Sequence, residues 1–477
     1  MEAMQGATPP DLGRSWWLRE ALALPEFVGP AAPRLDSDTT ADVVILGGGY
    51  TGMWTAWFLK EREPSLDIVL LEADTCGGGP SGRNGGFCDS WYGNVADLIP
   101  TYGEDGARAL LEACGPVPDR IGAFCEAHGI DAWFRKGGDL AVASAPAHEA
   151  RWLPTVQAAR RLGIEDGYHV LGAAQVRDRV RSPVFGGGLL IDDGANVHPA
   201  RLARGLRRVL IERGVRVFEQ TPVTRFAAAA PALAATPFGT VRAERAVVAL
   251  GAWATRWRAF HRSLTVRGSY MVITEPAPER IGEIGWSGGE SLRDLRSSVH
   301  YLRTTPGGRI AFGLGGMQPD LARRIDHRYA YDEASLQTVA AHLVRMFPGF
   351  EGVPIAAGWG GPINVSALSM PFFGRLGAGN VTYGLGYTGN GVGPSNLGGE
   401  ILAALTLDTG EALTRLPVVT HEPKHFPPEP IRSPGMFVAN RAIFRKDDAE
   451  ASGRRVDAAS GFIATIPRRL GFNLGPR

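Results

Sequence analysis

DVVILGGGYTGMWTAWFLKEREPSLDIVLLE, residues 42–72, decides the fold. DVVIL (42–46) is short, apolar and rich in β-branched side chains, as a strand buried on both faces requires. Gly47, Gly49 and Gly52 follow at once in G-x-G-x-x-G spacing, with Tyr50 and Thr51 inside the motif. MWTAWFLKERE then reads as a helix with Met53, Ala56, Trp57 and Lys60 on one side. DIVLL (67–71) is a second buried strand ending at Glu72, twenty residues after Gly52. Strand, glycine turn, helix, strand and acid in this order form a dinucleotide-binding fingerprint in its full context. Gly47 permits the tight turn, Gly49 lets the backbone approach a pyrophosphate, and Gly52 lets the helix close onto the strands. The helix start offers free N–H groups and a positive dipole end to phosphate. Glu72 is placed to accept hydrogen bonds from ribose hydroxyls. The unit alone does not separate NAD from FAD.

Five residues beyond Glu72 comes GGGPSGRNGGF (77–87). Such a glycine run cannot be core. It permits close approach to a ligand, and Ser81, Arg83 and Asn84 supply donors. SGRNGG after a GGGYTG–glutamate unit resembles the D-amino acid oxidase family of flavoproteins. Within that family it is most similar to the gamma-glutamylputrescine oxidoreductase-type amine oxidases. The likeness spans roughly residues 15 to 470, including SWWLREAL (15–22) and FRKDDAEASGRR (444–455).

The resemblance implies FAD as a non-covalent cofactor and extends the contacts. Ala73 beside Glu72, and Gly82, Gly85 and Gly86 of the loop, join the cofactor set. Further along, Pro199 to Arg213 reads as a helix with Leu202, Leu206, Val209 and Leu210 on one face. Strands are expected at Val215 to Phe218 and at Thr240 to Leu250. The family likeness makes Val223, Leu250 and Gly251 cofactor contacts. YGLGYTGNGVGPSNLGG (383–399) is a glycine loop aimed into a helix start. A helix N-terminus there stabilises the negative charge of a reduced flavin. By resemblance Gly386, Tyr387, Thr388, Gly389, Asn390 and Gly391 lie along the isoalloxazine.

The family pattern also suggests a fold: an α/β, Rossmann-like FAD-binding domain interleaved with an antiparallel-sheet α+β substrate domain. The expected division is 1–35 as an N-terminal extension, and 36–100, 183–260 and 356–412 as the FAD-binding domain. Segments 101–182 and 261–355 form the substrate domain, and 413–477 is a tail packing on the FAD-binding domain. GSYMVIT (268–274) and RIAFG (309–313) read as strands of the substrate sheet.

No second dinucleotide fingerprint is present, so electrons are expected to come from the organic substrate and leave to oxygen or another acceptor. Relatives acting on amino acids place an arginine after a segment resembling Gly358 to Pro362. Here Ile363 and Asn364 follow, which favours a primary or secondary amine over an α-amino acid or N-methylglycine. A carboxylate anchor would have to come from elsewhere, with Arg135, Arg303 and Arg309 as candidates. A covalent flavin link is not expected: no cysteine follows Cys125, and Arg83 stands where some relatives place a histidine. His300 and Tyr301 are similar to an aromatic pair of the family. Strand alternation turns one toward the flavin and one away. Trp359, beside the third glycine segment, joins them as a catalytic-site candidate, with Trp91, Tyr92 and Tyr270 as further pocket walls. A non-catalytic FAD-binding subunit is the remaining alternative.

The whole chain bounds the rest. At 477 residues it exceeds one ordinary core, so two domains are expected. A formal net charge of +1 gives no field favouring nucleic acid. No run of eighteen apolar residues suggests a membrane span, and the start does not read as a secretory signal. Four cysteines without a C-x-x-C pair point to no metal site and to reduced thiols in a cytoplasmic protein.

Overall fold

The computed structural model describes residues 13–318 and 325–472. Parts of the expected N-terminal extension (1–12), substrate domain (319–324) and tail (473–477) lie outside the described residues. Strand Thr39–Leu46 runs parallel to Ile68–Leu71 on one side and Gly239–Val248 on the other. Arg216–Phe218 continues the sheet beyond Ile68–Leu71, and Val381–Leu385 continues it beyond Gly239–Val248, both parallel. The long strand Gly239–Val248 takes two neighbours on one edge. Its last residues pair with Val381–Leu385, and its first half pairs antiparallel with Ala232–Thr236. Val43 to Leu46 and Ile68 to Leu71 are all buried, as parallel strands covered on both faces must be.

Helix Tyr50–Arg62 follows the first strand and packs against helix Pro394–Leu407. The contact is close enough to require glycine: a Cβ on Gly399 would lie 2.5 Å from Cβ of Trp54. A Cβ on Gly52 would lie 2.1 Å from the Gly47 carbonyl oxygen, which accounts for the third glycine of the fingerprint. Helix Tyr50–Arg62 is buried around most of its circumference, including Met53, Trp54, Ala56, Trp57 and Leu59. The sequence suggests a single buried side; two helices, Pro394–Leu407 and Pro199–Glu212, cover it instead.

The second sheet has eight strands in the order 355–366, 264–274, 310–314, 300–304, 291–294, 139–142, 188–191 and 168–171. All neighbours are antiparallel except 291–294 with 139–142. Helix Glu333–Met346 closes one face over Leu302, Phe312 and Leu314. The opposite face forms the ceiling of a cavity. The molecule is thus the expected pairing of a Rossmann-like half with an antiparallel α+β half, interleaved along the chain.

Three segments lie elsewhere than the sequence suggests. Ile355–Ser366, read as part of the FAD-binding domain, is an edge strand of the second sheet, because it pairs with Leu264–Thr274 along nearly its whole length. Gly188–Ile191 joins the same sheet through Asp139–Val142. The tail does not stay on the FAD-binding half. Helix Arg432–Ala451 docks on the substrate half, where buried Asp447 accepts from Ser298 N at 2.6 Å and Ser298 Oγ at 2.5 Å. Arg296 reaches Asp448 at 2.9 Å, and Arg151 reaches Glu450 at 2.9 Å. These carboxylates hold the helix where the substrate half offers buried donors. Among the described residues no helix is long and apolar enough to cross a membrane.

Candidate functional site

One cavity of about 910 Å³ runs between the two halves. Its floor begins at Gly47, Gly49, Tyr50 and Thr51, where helix Tyr50–Arg62 starts without a side-chain cap of its own. Ser81 of the glycine loop supplies the acceptor instead: Tyr50 N donates to its Oγ at 2.8 Å. Glu72 and Ala73 stand at the end of the second strand, and Val223, Leu250 and Gly251 line the wall beyond. Ser81, Arg83, Asn84 and Gly85 form the loop side, and Thr388, Gly389, Asn390 and Gly391 close the end at helix Pro394–Leu407. With Tyr387, which borders it too, eighteen cofactor residues expected from the sequence thus border one space.

Four expected contacts do not border it. Gly52 is in the first turn of helix Tyr50–Arg62, turned onto Gly47, and a Cβ on Gly82 would meet the Gly77 carbonyl oxygen at 2.2 Å. Gly86 lies against Val197 O, and Gly386 against Phe372 and Ser366. These glycines shape the loops that meet the cavity rather than its surface.

Glu72 is already in use. Its carboxylate accepts from Gly48 N at 2.8 Å and from Asp74 N at 2.9 Å. Burial nevertheless pushes its pKa up to about 7, with Asp74 and Glu219 adding repulsion. Ribose hydroxyls donating to it would relieve that cost. Arg83 donates to Gly78 O at 2.7 Å and Gly360 O at 3.1 Å, tying the loop to the second sheet. Asn84 Nδ2 donates to Pro80 O and Ser81 O while its Oδ1 accepts from Gly86 N. A space with a helix N-terminus at each end, a half-buried acid at one strand end and small residues between them suits FAD.

The three catalytic-site candidates separate. Tyr301 borders the cavity, and its hydroxyl shares a 2.7 Å hydrogen bond with Ser269 Oγ. Its ring lies across Gly313 and against Gly85, where added Cβ atoms would come within 2.2 and 2.9 Å. Burial pushes its pKa up to about 12, so it keeps its proton. His300, the preceding residue on the strand, faces the other way. It is fully buried, with Nδ1 2.7 Å from Asp294 Oδ2 and Nε2 2.8 Å from His342 Nδ1. It is a core histidine, as alternation along a strand demands of one member of the pair. Trp359 also lies off the cavity. Its indole N–H donates to Arg83 O at 2.8 Å and its ring packs near Trp17, so it buttresses the glycine loop from behind.

Trp91, Tyr92 and Tyr270 do not border the cavity; the Tyr270 hydroxyl donates to Arg328 O at 2.6 Å. The candidate anchors are also committed elsewhere. Arg303 donates to Val197 O, Arg309 to Thr274 O and Glu275, and Arg135 to Ser287 O. Sequence reasoning missed three cations that do face the space, Arg256, Arg267 and Arg293. Arg267 is directly opposite Ile363 on the neighbouring strand. It donates to Gly316 O and Asn440 Oδ1, and burial lowers its pKa to about 10. Also missed were Asp89, Asp139 and Asp193, and the Trp253 and Trp257 walls near Gly251. The strand pairing that brings these together joins distant stretches of sequence, so no local pattern marks them.

The family described as "DAO: FAD dependent oxidoreductase" matches residues 42–405. Gamma-glutamylputrescine oxidoreductase of Escherichia coli (strain K12) is 30% identical over 82% of this chain and 89% of its own length. The crystal structure of glycine oxidase from Geobacillus kaustophilus superposes with a TM-score of 0.66 at 20% identity, over 80% of this chain and 99% of that one. L-proline dehydrogenase from P. horikoshii gives a TM-score of 0.62 at 19% identity, over 80% and 96%. The two structures share the fold.

Proposed function

The chain belongs to the FAD dependent oxidoreductase (DAO) family, and we propose that it oxidises a primary or secondary amine at the C–H bond beside nitrogen. FAD, when bound, supplies the hydride acceptor at its N5. The oxidised substrate is an imine, which water hydrolyses to a carbonyl compound and an amine or ammonia. The chain's own part is positioning. Tyr301 and Ser269 present a hydroxyl pair from the ceiling, and Phe87 stands edge-on to Tyr301 at 6.2 Å. Because Tyr301 stays protonated, it orients a neutral amine by hydrogen bonding and takes no proton from it. The name of the relative at 30% identity points to the same class of reaction.

The observation that carries this reading is the neutral wall at Ile363 and Asn364, both bordering the cavity where related amino acid oxidases are expected to offer an arginine. The test is anaerobic. A panel of amines should bleach the flavin, with one carbonyl trapped per flavin reduced. A panel that leaves the flavin oxidised would overturn the reading. Sustained turnover by the isolated chain separates an enzyme from a non-catalytic FAD-binding subunit. Oxygen or another acceptor completes the cycle.

One observation favours a second reading. Arg267 sits beside Ile363 with its side chain on the cavity face. A substrate carboxylate placed there would meet a guanidinium whose described partners are neutral oxygens, so an α-amino acid or N-methylglycine substrate is the alternative.

A further inference from the structure

The cavity ceiling is polarised. Neighbouring strands lie about 4.8 Å apart. Arg267 and Asp139 are four strands apart in the second sheet, and Tyr301 stands on the strand midway between them. Arg267 and Asp139 are therefore separated by roughly 19 Å across the sheet. Beyond Tyr301 the lining turns acidic. Asp89, Asp139 and Asp193 all border the space there.

The three carboxylates come from separate parts of the chain. Asp139 holds Arg293 at 2.9 Å. Asp193 accepts from Ser90 N at 2.9 Å and Ser90 Oγ at 2.6 Å, and Asp89 is the residue before Ser90. Gly194 marks where they meet: a Cβ on it would lie 2.7 Å from Asp89 Oδ1 and 3.5 Å from Asp139 N. Oδ1 of Asp89 is fully buried and accepts no hydrogen bond among the described residues. Burial, and repulsion from Asp139, hold Asp89 and Asp193 above the usual carboxylate range. A buried carboxylate oxygen lacking a donor is costly, and Arg293 is held by Asp139, which leaves room at the other two acids for another cation. Among the described residues no group of three or more His, Cys, Asp or Glu side chains is arranged to hold a metal ion. An organic cation fits better.

We infer that Asp89, Asp139 and Asp193 form a recess for a protonated amine at the non-reacting end of the substrate, so that the enzyme selects diamine-type molecules over simple alkylamines. The inference rests on the amine-oxidation reading and refines it: Tyr301 and Ser269 hold the reacting nitrogen while the acids hold the distant one. Both ends of a diamine are protonated at neutral pH. The recess favours keeping the proton on the distal nitrogen, whereas the hydroxyl pair accommodates the neutral reacting one.

The test uses the full-length FAD-loaded protein and a homologous series of unbranched α,ω-diamines, each paired with the n-alkylamine of equal length. Anaerobic flavin reduction gives the apparent dissociation constant for each compound. A charge-assisted contact predicts that the diamine of best length binds roughly ten- to a hundredfold tighter than its alkylamine. In Asp193→Asn, and separately in Asp89→Asn, that ratio should fall toward one. Flavin content and thermal midpoint show that each variant is folded, and two variants guard against one failing. A second readout is the rise in the oxidised protein's thermal midpoint with each compound. Diamines that raise the midpoint in the wild type but not in the variants, without bleaching the flavin, would uphold the recess and remove the amine-oxidation reading. Equal binding of diamine and alkylamine by the wild type, or an unchanged ratio in both variants, would overturn the recess.

Discussion

At Glu72 the surrounding groups make two opposite demands. Its carboxylate accepts two backbone donors, yet burial raises its pKa to about 7. Ribose hydroxyls favour the ionised form, so FAD binding should pull this pKa down. The apoprotein must therefore lose FAD affinity as pH falls below about 7, approaching tenfold per unit until the holoprotein's own lower pKa is reached. Fluorescence titration of apoprotein with FAD across that range checks the sign; affinity that is flat or rises in acid would contradict it. Glu72→Ala should weaken FAD binding by roughly one to two decades, the worth of a charge-assisted hydrogen bond. Tyr301→Phe removes the bond to Ser269 together with the hydroxyl that orients the amine. It should lower kcat/KM for amines by about tenfold, for a bond worth about 1 kcal/mol with added cost at the left-over hydroxyl. Unchanged kinetics would leave Tyr301 as a wall without a polar role.

Among the elements, helix Arg432–Ala451 is the least expected. Its Asn440 holds Arg267 at the cavity and its Asp447 is buried against Ser298 and Arg296. Asp447→Ala leaves three donors from Ser297 and Ser298, and part of a buried cation, uncompensated. The loss of stability should be about 3 kcal/mol, read as a lower denaturant midpoint with an unchanged slope. A shift of a few tenths would show that the helix is held by its other contacts. The placement was hidden in the sequence because the partners Ser297 and Ser298 lie in a loop without periodicity, 150 and 149 residues away. Helix Tyr50–Arg62 shows the opposite case. Its start, its glycines and its following strand are all local, so the fingerprint could be read directly, although its burial on most sides could not.

Across the whole molecule, legibility follows the same division. The cofactor half is written in three contiguous glycine segments, and eighteen expected contacts meet in one cavity. The substrate half is assembled by antiparallel pairing between distant strands. Strand alternation warned that only one of His300 and Tyr301 would face inward, but not which. Arg267 lies across the ladder from Ile363, where only register reveals it. The flavin should leave the polypeptide on acid precipitation, since all four cysteines are buried and none of them borders the cavity; flavin remaining with the pellet would show a covalent link.

That the reacting molecule is an amine without an α-carboxylate is tested most directly by rapid mixing. The FAD-loaded protein meets putrescine or ornithine at equal concentrations and without oxygen, two molecules that differ only by that carboxylate. Putrescine should reduce the flavin faster, since Ile363 and Asn364 offer the carboxylate no charge. Consistently faster reduction by ornithine would contradict the amine reading and favour an amino acid oxidase, with Arg267 the first anchor to test.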